Sequence, residues 1–160
     1  MMSRTTAAAS APTATATLPA PVEARVRASF ARQGAMRLIG ARLFELRPGY
    51  CAIELPFRDD LTQQHGYVHA GIVSAIADSA GGYAGFTLFP DDASVLTVEY
   101  KLNLIAPAAG ERFVAEAEVV KPGRTLAITR GEVYAEAGGK RTLCALMQQT
   151  LIVMAGKPDA

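Results

Sequence analysis

The sequence is poor in the residues that build metal sites, disulfide frameworks and nucleic-acid interfaces. Its only cysteines, Cys51 and Cys144, lie far apart in apolar segments, so we expect two buried thiols rather than a disulfide or a metal site. Two histidines, His65 and His69, are too few ligands for a convincing zinc site. The net charge is only +1, which removes the electrostatic case for binding nucleic acid or an anionic membrane.

Long apolar runs are also missing. No run approaches the ~20 residues that are needed to span a bilayer. The first 21 residues are mostly Ala, Thr, Ser and Pro, and they lack the continuous apolar stretch of a secretory signal. We therefore expect a flexible tail at 1–21, one domain at 22–156, and a cytoplasmic protein.

The apolar spacing predicts one short helix at 22–33, a long central helix at 71–88, and six strands. The strands are expected as two within 36–57, around the turn Pro48-Gly49, and one each in 94–106, 113–120, 125–137 and 140–154. Short turns join the last four strands, so we expect them to be antiparallel neighbours. One long helix against a six-stranded antiparallel sheet is an α+β arrangement. A single helix leaves sheet surface and edges uncovered, and a second copy of the chain is the simplest partner for them.

The strand at 94–106 shows the clearest alternation. One face carries Leu96, Val98, Tyr100, Leu102 and Leu104, and the other carries Thr97, Glu99, Lys101 and Asn103. This pattern predicts that Thr97 points away from the apolar face.

The central helix carries a single charge on a face without bulk. Asp78 shares its face with small residues, namely Gly71, Ser74, Ala75, Gly81, Gly82 and Gly85. Histidine apart, Asp78 is the only charged residue between Asp60 and Asp91. Because an interior glycine costs a helix roughly 1 kcal/mol relative to alanine, we expect a neighbouring backbone or a substrate to approach this face closely.

The spacing of His69, Gly71 and Asp78 resembles that of the hotdog-fold acyl-CoA thioesterases, in particular the PaaI-like branch of phenylacetate degradation. Residues 98–108 are similar to the third strand of that family and the turn after it. Residues 121–127 are similar to its basic hairpin, and the resemblance covers roughly 35–154 in the right order. Two positions depart from the pattern, because Gln63 replaces the usual Asn and Ala70 replaces the middle Gly of a His-Gly-Gly triplet.

The resemblance implies a hotdog fold, in which a six-stranded antiparallel sheet wraps around a long central helix. It implies hydrolysis of an acyl-CoA thioester to a free acid and coenzyme A, at a site shared between the subunits of a homodimer or homotetramer. No metal or redox cofactor is required, since coenzyme A is part of the substrate.

The resemblance also assigns roles to residues of the central helix and its start. Asp78 is expected to act as general base or nucleophile, the alternative being an ordinary surface or interface carboxylate. The amides of Ala70 and Gly71 are expected to stabilise the thioester oxygen, because the first N–H groups of a helix lack partners within it. His69 is expected to fix the loop and the helix start by hydrogen bonds.

Other candidate residues lie outside the helix. Gln63 is expected to donate its NH₂ group to the thioester carbonyl or to the water, although it could equally be a plain loop residue. Thr97 is placed near the catalytic acid, with an ordinary strand threonine as the alternative. Lys121, Gly123 and Arg124 form a turn that could meet the phosphates of coenzyme A, or that is only solvated.

Two other functions fit the same residues. An enoyl-thioester hydratase or dehydratase would pair Asp78 with a histidine, for which His69 is the neighbour in sequence. A non-catalytic protein that binds acyl-CoA would need a partner to regulate transcription, because the chain has no helix-turn-helix segment. Hydration of an enoyl-CoA, or tight acyl-CoA binding without thiol release, would distinguish them.

Overall fold

A computed structural model describes residues 17–159, which form three α-helices, six β-strands and one short 3₁₀ turn at Asp59–Leu61. The helices are α1 (Ala20–Arg32), α2 (Gly34–Ile39) and α3 (Ala70–Phe86). The strands are β1 (Arg42–Arg47), β2 (Tyr50–Pro56), β3 (Ser94–Leu104), β4 (Arg112–Lys121), β5 (Leu126–Ala137) and β6 (Lys140–Met154). Residues 1–16 of the expected tail lie outside the described residues. Within residues 17–159, no helix combines the length and the apolar character that a membrane crossing requires.

The two helices before the sheet differ from the prediction in detail. Helix α1 begins at Ala20, with Pro21 in its first turn, where the missing N–H of proline removes no helix hydrogen bond. Helix α2 lies in the segment that was expected to start a strand. Its buried Met36 and Ile39 stand three residues apart, as on one face of a helix, and Gly40 ends it in the left-handed conformation at φ 79°. Six residues are too few for this spacing to stand out in the sequence.

The six strands form one antiparallel sheet in the order β1-β2-β4-β5-β6-β3. Strand β3 therefore pairs with β6 at the far edge, and the prediction that it neighbours β4 was wrong. The connection at 105–111 has to pass two intervening strands, a distance of about 14 Å at the usual strand spacing. Seven residues can reach up to about 23 Å, so this segment serves as a crossover rather than as a tight turn.

Helix α3 crosses the inner face of the sheet and contacts β2, β3, β4, β5 and β6. Its buried Ile76 and Phe86 join Ile53 and Phe113 of the sheet in one apolar core. The small face of α3 is explained by β6, because a methyl group at Gly85 would overlap the Leu151 side chain. The close approach that was expected at this helix is therefore made by side chains of β6. One long helix packed on a six-stranded antiparallel sheet also confirms the α+β prediction.

A bulge in β3 reverses its predicted alternation. The pairing with β6 shifts between Thr97 and Glu99, which leaves Val98 as an extra residue. Thr97 pairs with Leu151 and Tyr100 pairs with Gln149, and directly opposed residues project to the same side of a sheet. Thr97 therefore faces α3, contrary to the prediction, because one inserted residue exchanges the faces of a strand.

Strand β3 also forms an exposed edge of the sheet. Among the described strands only β6 pairs with it, and four large apolar residues along it are exposed, namely Leu96, Val98, Tyr100 and Leu104. An edge with this character is suited to pairing with another chain.

Arg25 of α1 secures the end of α3 opposite to His69. Its guanidinium donates to the carbonyl oxygens of Phe86, Phe89 and Pro90 at 3.1, 2.9 and 2.7 Å. The last carbonyls of a helix have no partners within it and form the negative end of its dipole, so a cation there is favourable.

Candidate active site

Asp78 lies in the middle of α3, half-buried, with its carboxylate held from two strands. Its Oδ1 atom accepts a hydrogen bond from Thr97 Oγ1 of β3 at 2.7 Å and another from Gln149 Nε2 of β6 at 2.6 Å. Both donors use the same oxygen, and among the described residues Oδ2 accepts none. The bulge in β3 makes this arrangement possible, since it turns Thr97 toward the helix.

Gln149 was not predicted as a site residue. It is only 1% exposed, and its side-chain oxygen accepts a hydrogen bond of 2.9 Å from Thr129 Oγ1 of β5, which is fully buried. The signal in the sequence is the pair Gln148-Gln149 inside the apolar strand at 140–154, because alternation forces one of two adjacent amides toward the core. The sequence alone does not decide which one.

The start of α3 is organised by His69, the N-cap residue. Nδ1 of His69 accepts the Gly71 N–H at 2.8 Å, as expected for a residue that fixes the helix start. The carbonyl of His69 accepts the N–H groups of Ile72 and Val73 at 2.9 and 3.1 Å. Among the described residues no acceptor meets the N–H of Ala70, so it alone of the first four helix donors is free.

The Gly71 amide is not free for a substrate, contrary to the expectation. The Gly71 N–H is already bonded to the His69 ring, and a methyl group at Gly71 would lie 3.0 Å from the Nδ1 atom. Glycine at this position lets the imidazole lie against the helix start. Of the two predicted amide donors, only that of Ala70 is available.

Gln63 and Ala70 border the same cavity. It has a volume of about 400 Å³, and its other lining residues are mainly apolar: Tyr67, Val68, Val73, Leu104, Ile105, Ala106, Pro107 and Ala108. The side-chain oxygen of Gln63 accepts the backbone N–H of His65, and no acceptor in residues 17–159 meets its NH₂ group. Two hydrogen-bond donors therefore stand beside an apolar space.

Asp78 and Ala70 do not meet within one chain. They are eight residues apart on α3, which at 1.5 Å per residue is about 12 Å along the helix axis. A single carbonyl group cannot contact both at once. The chain thus presents a carboxylate and a free amide at two separate places on α3.

The predicted basic turn lies between β4 and β5. Lys121, Gly123 and Arg124 are exposed, and within residues 17–159 neither cation forms an ion pair. A methyl group at Gly123 would overlap the Leu126 carbonyl oxygen, so the turn requires glycine. The turn leads into β5, whose Ala127 pairs with Leu151, and Leu151 in turn pairs with Thr97. The basic turn is therefore at the same end of the sheet as Asp78.

Both cysteines are buried, and their thiols are free, as predicted. Burial raises the pKa of Cys51 far above its ordinary range and raises the pKa of Cys144 to about 11. Neither residue is a thiolate near neutral pH, so neither is a suitable nucleophile.

Comparisons with known proteins identify the class that this fold and site define. A family model described as the thioesterase superfamily matches residues 65–142. A thioesterase family protein from Silicibacter pomeroyi is 50% identical, with a TM-score of 0.83, and the match covers 84% of this chain and 99% of that one. A Saccharolobus solfataricus protein provisionally named an esterase is 32% identical over 115 residues, which is 72% of this chain and 74% of that protein.

The chain therefore belongs to the thioesterase superfamily, and the predicted hotdog fold is confirmed. The Escherichia coli PaaI protein from the phenylacetic acid degradation operon shares this fold, with a TM-score of 0.78 over 89% of this chain and 99% of that one. Its identity is only 16%, so this likeness concerns the fold alone.

Proposed function

We propose that this protein hydrolyses acyl-CoA thioesters with Asp78 as the reacting acid. The observation that carries the proposal is the carboxylate of Asp78, whose Oδ1 is held at 2.7 Å by Thr97 and at 2.6 Å by Gln149, while Oδ2 accepts no hydrogen bond from the part of the chain that the structure describes. A carboxylate fixed in this way on a half-buried helix face is suited to act on a bound substrate. Membership of the thioesterase superfamily supports the reaction type.

In this proposal Asp78 and Ala70 are two half-sites, which come together in a homodimer. Two copies of β3 pair edge to edge, which covers Leu96 and its exposed apolar neighbours and extends the sheet across the dimer. A twofold axis at this edge places Asp78 of one protomer near the helix start of its partner. The separation of about 12 Å between Asp78 and Ala70 within one chain favours this shared site over a site inside one protomer.

In the shared site the thioester oxygen accepts hydrogen bonds from the N–H of Ala70 and the NH₂ of Gln63. These donors stabilise the negative charge that develops on this oxygen when the carbonyl carbon is attacked. The carboxylate of Asp78 takes a proton from a water molecule, the resulting hydroxide adds to the carbonyl carbon, and the carbon–sulfur bond breaks. The thiolate of coenzyme A leaves and takes the proton from Asp78, which restores the carboxylate, and the free acid remains.

A nucleophilic route uses the same residues. Oδ2 of Asp78 attacks the carbonyl carbon, coenzyme A leaves as the thiolate, and water hydrolyses the mixed anhydride. A single turnover in H₂¹⁸O detects the nucleophilic route when water attacks the Asp78 carbonyl of the anhydride, because the solvent oxygen then stays on the enzyme. The general-base route, like water attack on the acyl carbonyl of the anhydride, puts solvent oxygen into the product acid.

The coenzyme A end of the substrate is assigned to the basic turn. Lys121 and Arg124 are exposed at the end of the sheet that holds Thr97, and their cations are suited to phosphate groups. Gly123 permits the backbone geometry of the turn. In this proposal coenzyme A enters only as part of the substrate, and no metal or redox cofactor takes part.

The test is release of free thiol from a panel of acyl-CoA thioesters of aryl, medium and long chains. Asp78→Asn keeps the shape of the side chain and should lower kcat by about 10²- to 10⁴-fold, the usual contribution of a general base. Asp92→Asn, at an exposed aspartate after α3, is the matched control and should retain wild-type turnover.

Three results would contradict the proposal. Unchanged turnover of Asp78→Asn would remove the acid from the mechanism. Hydration of an enoyl-CoA without thiol release would favour the hydratase, and tight acyl-CoA binding without any turnover would favour the binding protein.

A further inference from the structure

We propose that Gln149 is a positioning residue for Asp78, and that Thr129 fixes the orientation in which Gln149 does this. The inference rests on the proposed function and extends the site to two buried residues that touch no substrate. Gln149 and Thr129 are 1% and 0% exposed, and both lie behind the carboxylate on β6 and β5.

The hydrogen bonds admit only one orientation of the Gln149 amide. An ionised carboxylate can only accept, so Gln149 must turn its NH₂ group toward Oδ1 of Asp78, at 2.6 Å. The same nitrogen lies 3.0 Å from Thr97 Oγ1, which uses its own hydrogen for Oδ1. The amide oxygen then faces the other way and needs a donor, which is the Thr129 hydroxyl at 2.9 Å.

Burial makes this arrangement rigid. A buried polar group without a partner is costly, and at 1% exposure no solvent molecule can replace a lost partner of Gln149. If the Gln149 amide were reversed, its oxygen would face the carboxylate of Asp78, which cannot donate a hydrogen bond. Its NH₂ group would then face the Thr129 hydroxyl, which would lose the acceptor for its own hydrogen. The Thr129 hydroxyl therefore selects the orientation that supports Asp78.

Three elements of the fold create the space for this amide. Thr129 and Gln149 are directly opposed in the pairing of β5 with β6, and Gly81 of α3 lies above them. A methyl group at Gly81 would overlap the Gln149 side-chain oxygen and would lie 2.9 Å from Thr129 Oγ1. The glycine one turn after Asp78 therefore admits the residue that holds the acid.

The consequence for catalysis is a fixed carboxylate. Thr97 and Gln149 approach the same oxygen from two different strands, which restricts rotation of the Asp78 side chain and leaves Oδ2 as the oxygen for the reaction. Reaction rates depend steeply on such placement, and an error of about 1 Å can cost on the order of 10²-fold. Loss of Gln149 should therefore affect kcat and leave KM largely unchanged.

The experiment replaces Gln149 with methionine, which has a similar length and cannot hydrogen-bond to Asp78. We expect Gln149→Met to lower kcat by roughly 10- to 100-fold, with KM changed less than about twofold. Gln148→Met is the matched control, because Gln148 is the neighbouring glutamine, is exposed, and faces away from α3. It should keep the wild-type kcat.

A second pair of variants tests Thr129 and does not depend on the fold tolerating methionine at 149. Thr129→Val removes the hydroxyl at nearly constant volume and should lower kcat by about 3- to 10-fold, whereas Thr129→Ser retains the donor and should restore most of the rate. Equal rates for the valine and serine variants, or a wild-type kcat for a folded Gln149→Met, would overturn the inference.

The outcome is separable from that of the proposed function. An inactive Asp78→Asn together with fully active Gln149→Met and Thr129→Val would refute the positioning role and leave the hydrolase intact. Absence of thiol release from the wild-type protein would instead refute the proposed function.

Discussion

Replacing Ala70 with proline removes one hydrogen-bond donor from the proposed site and little else. Proline has no N–H, and Ala70 is the first residue of α3, a position that proline favours in helices. The preceding residue, His69, has φ −60° and ψ 139°, which is the extended conformation that a residue before proline prefers. The backbone therefore accepts the change without rearrangement.

The structure separates the expected effects on stability and on rate. The Ala70 N–H bonds to no described residue, so folding loses no hydrogen bond, and the stiffer unfolded chain can raise the free energy of unfolding by up to about 1 kcal/mol. Loss of one donor to the developing oxyanion costs about 2.7–4 kcal/mol of transition-state stabilisation, which is a 10²- to 10³-fold fall in kcat. A variant at least as stable as the wild type should therefore be nearly inactive.

The assay is thiol release from the best acyl-CoA of the panel, combined with urea unfolding. Ala70→Gly is the control, because it keeps the N–H and should retain kcat within a few-fold. The buried thiols of Cys51 and Cys144 should not react with the thiol reagent in the folded protein. A stable Ala70→Pro variant with wild-type kcat would refute the assignment of this amide to the oxyanion.

Three further predictions concern stability and are all measured by urea unfolding. Gly81→Ala should lower the free energy of unfolding by about 1–5 kcal/mol, because the clash with Gln149 outweighs better helix propensity. Gly82→Ala is the control, because a methyl group there would meet no described atom within 4 Å, and it should raise the free energy of unfolding by up to about 1 kcal/mol. Equal changes in the free energy of unfolding for the two variants would contradict this reasoning. Arg25→Met should lower the free energy of unfolding by about 1.5–3 kcal/mol, because it loses the bonds to carbonyl oxygens at the end of α3 and just after it, and an unchanged midpoint would contradict this. Burial raises the pKa of Cys144 from 9.0 to about 11, so the folded state favours the protonated thiol. The free energy of unfolding that this contributes is fully present below pH 9 and should fall as the pH rises toward 11. A midpoint that is constant from pH 8 to 11 would exclude this effect.

Features that depend on local sequence were predictable. The start of α3 follows from the spacing of His69 and Gly71, because the capping bond joins atoms two residues apart. The small face around Asp78 indicated a close approach, although it did not indicate that β6 makes it. The sequence does not show that the amide of Ala70 is free and that of Gly71 is bonded, because this depends on the position of the His69 imidazole ring.

Features that depend on strand pairing were not predictable in the same way. The pairing of β3 with β6 depends on a crossover segment that is no longer than an ordinary loop between neighbouring strands, so its length does not distinguish the two. The bulge at Val98 does not interrupt the alternating pattern of the sequence, so the pattern does not predict it. Gln149 contacts Asp78 although the two residues are 71 positions apart in the sequence, so its role depends on both the strand pairing and the bulge. A buried glutamine in an apolar strand signals a polar partner, but the sequence does not name that partner.

The most direct test of a site shared between protomers uses two inactive variants. Asp78→Asn lacks the acid and Ala70→Pro lacks the amide, so a dimer with one subunit of each kind contains one doubly altered site and one intact site. Random pairing of equal amounts makes half of the dimers mixed, and the preparation should recover about a quarter of wild-type activity. If the mixed preparation is no more active than the mean of the separate Asp78→Asn and Ala70→Pro proteins, the shared site is contradicted.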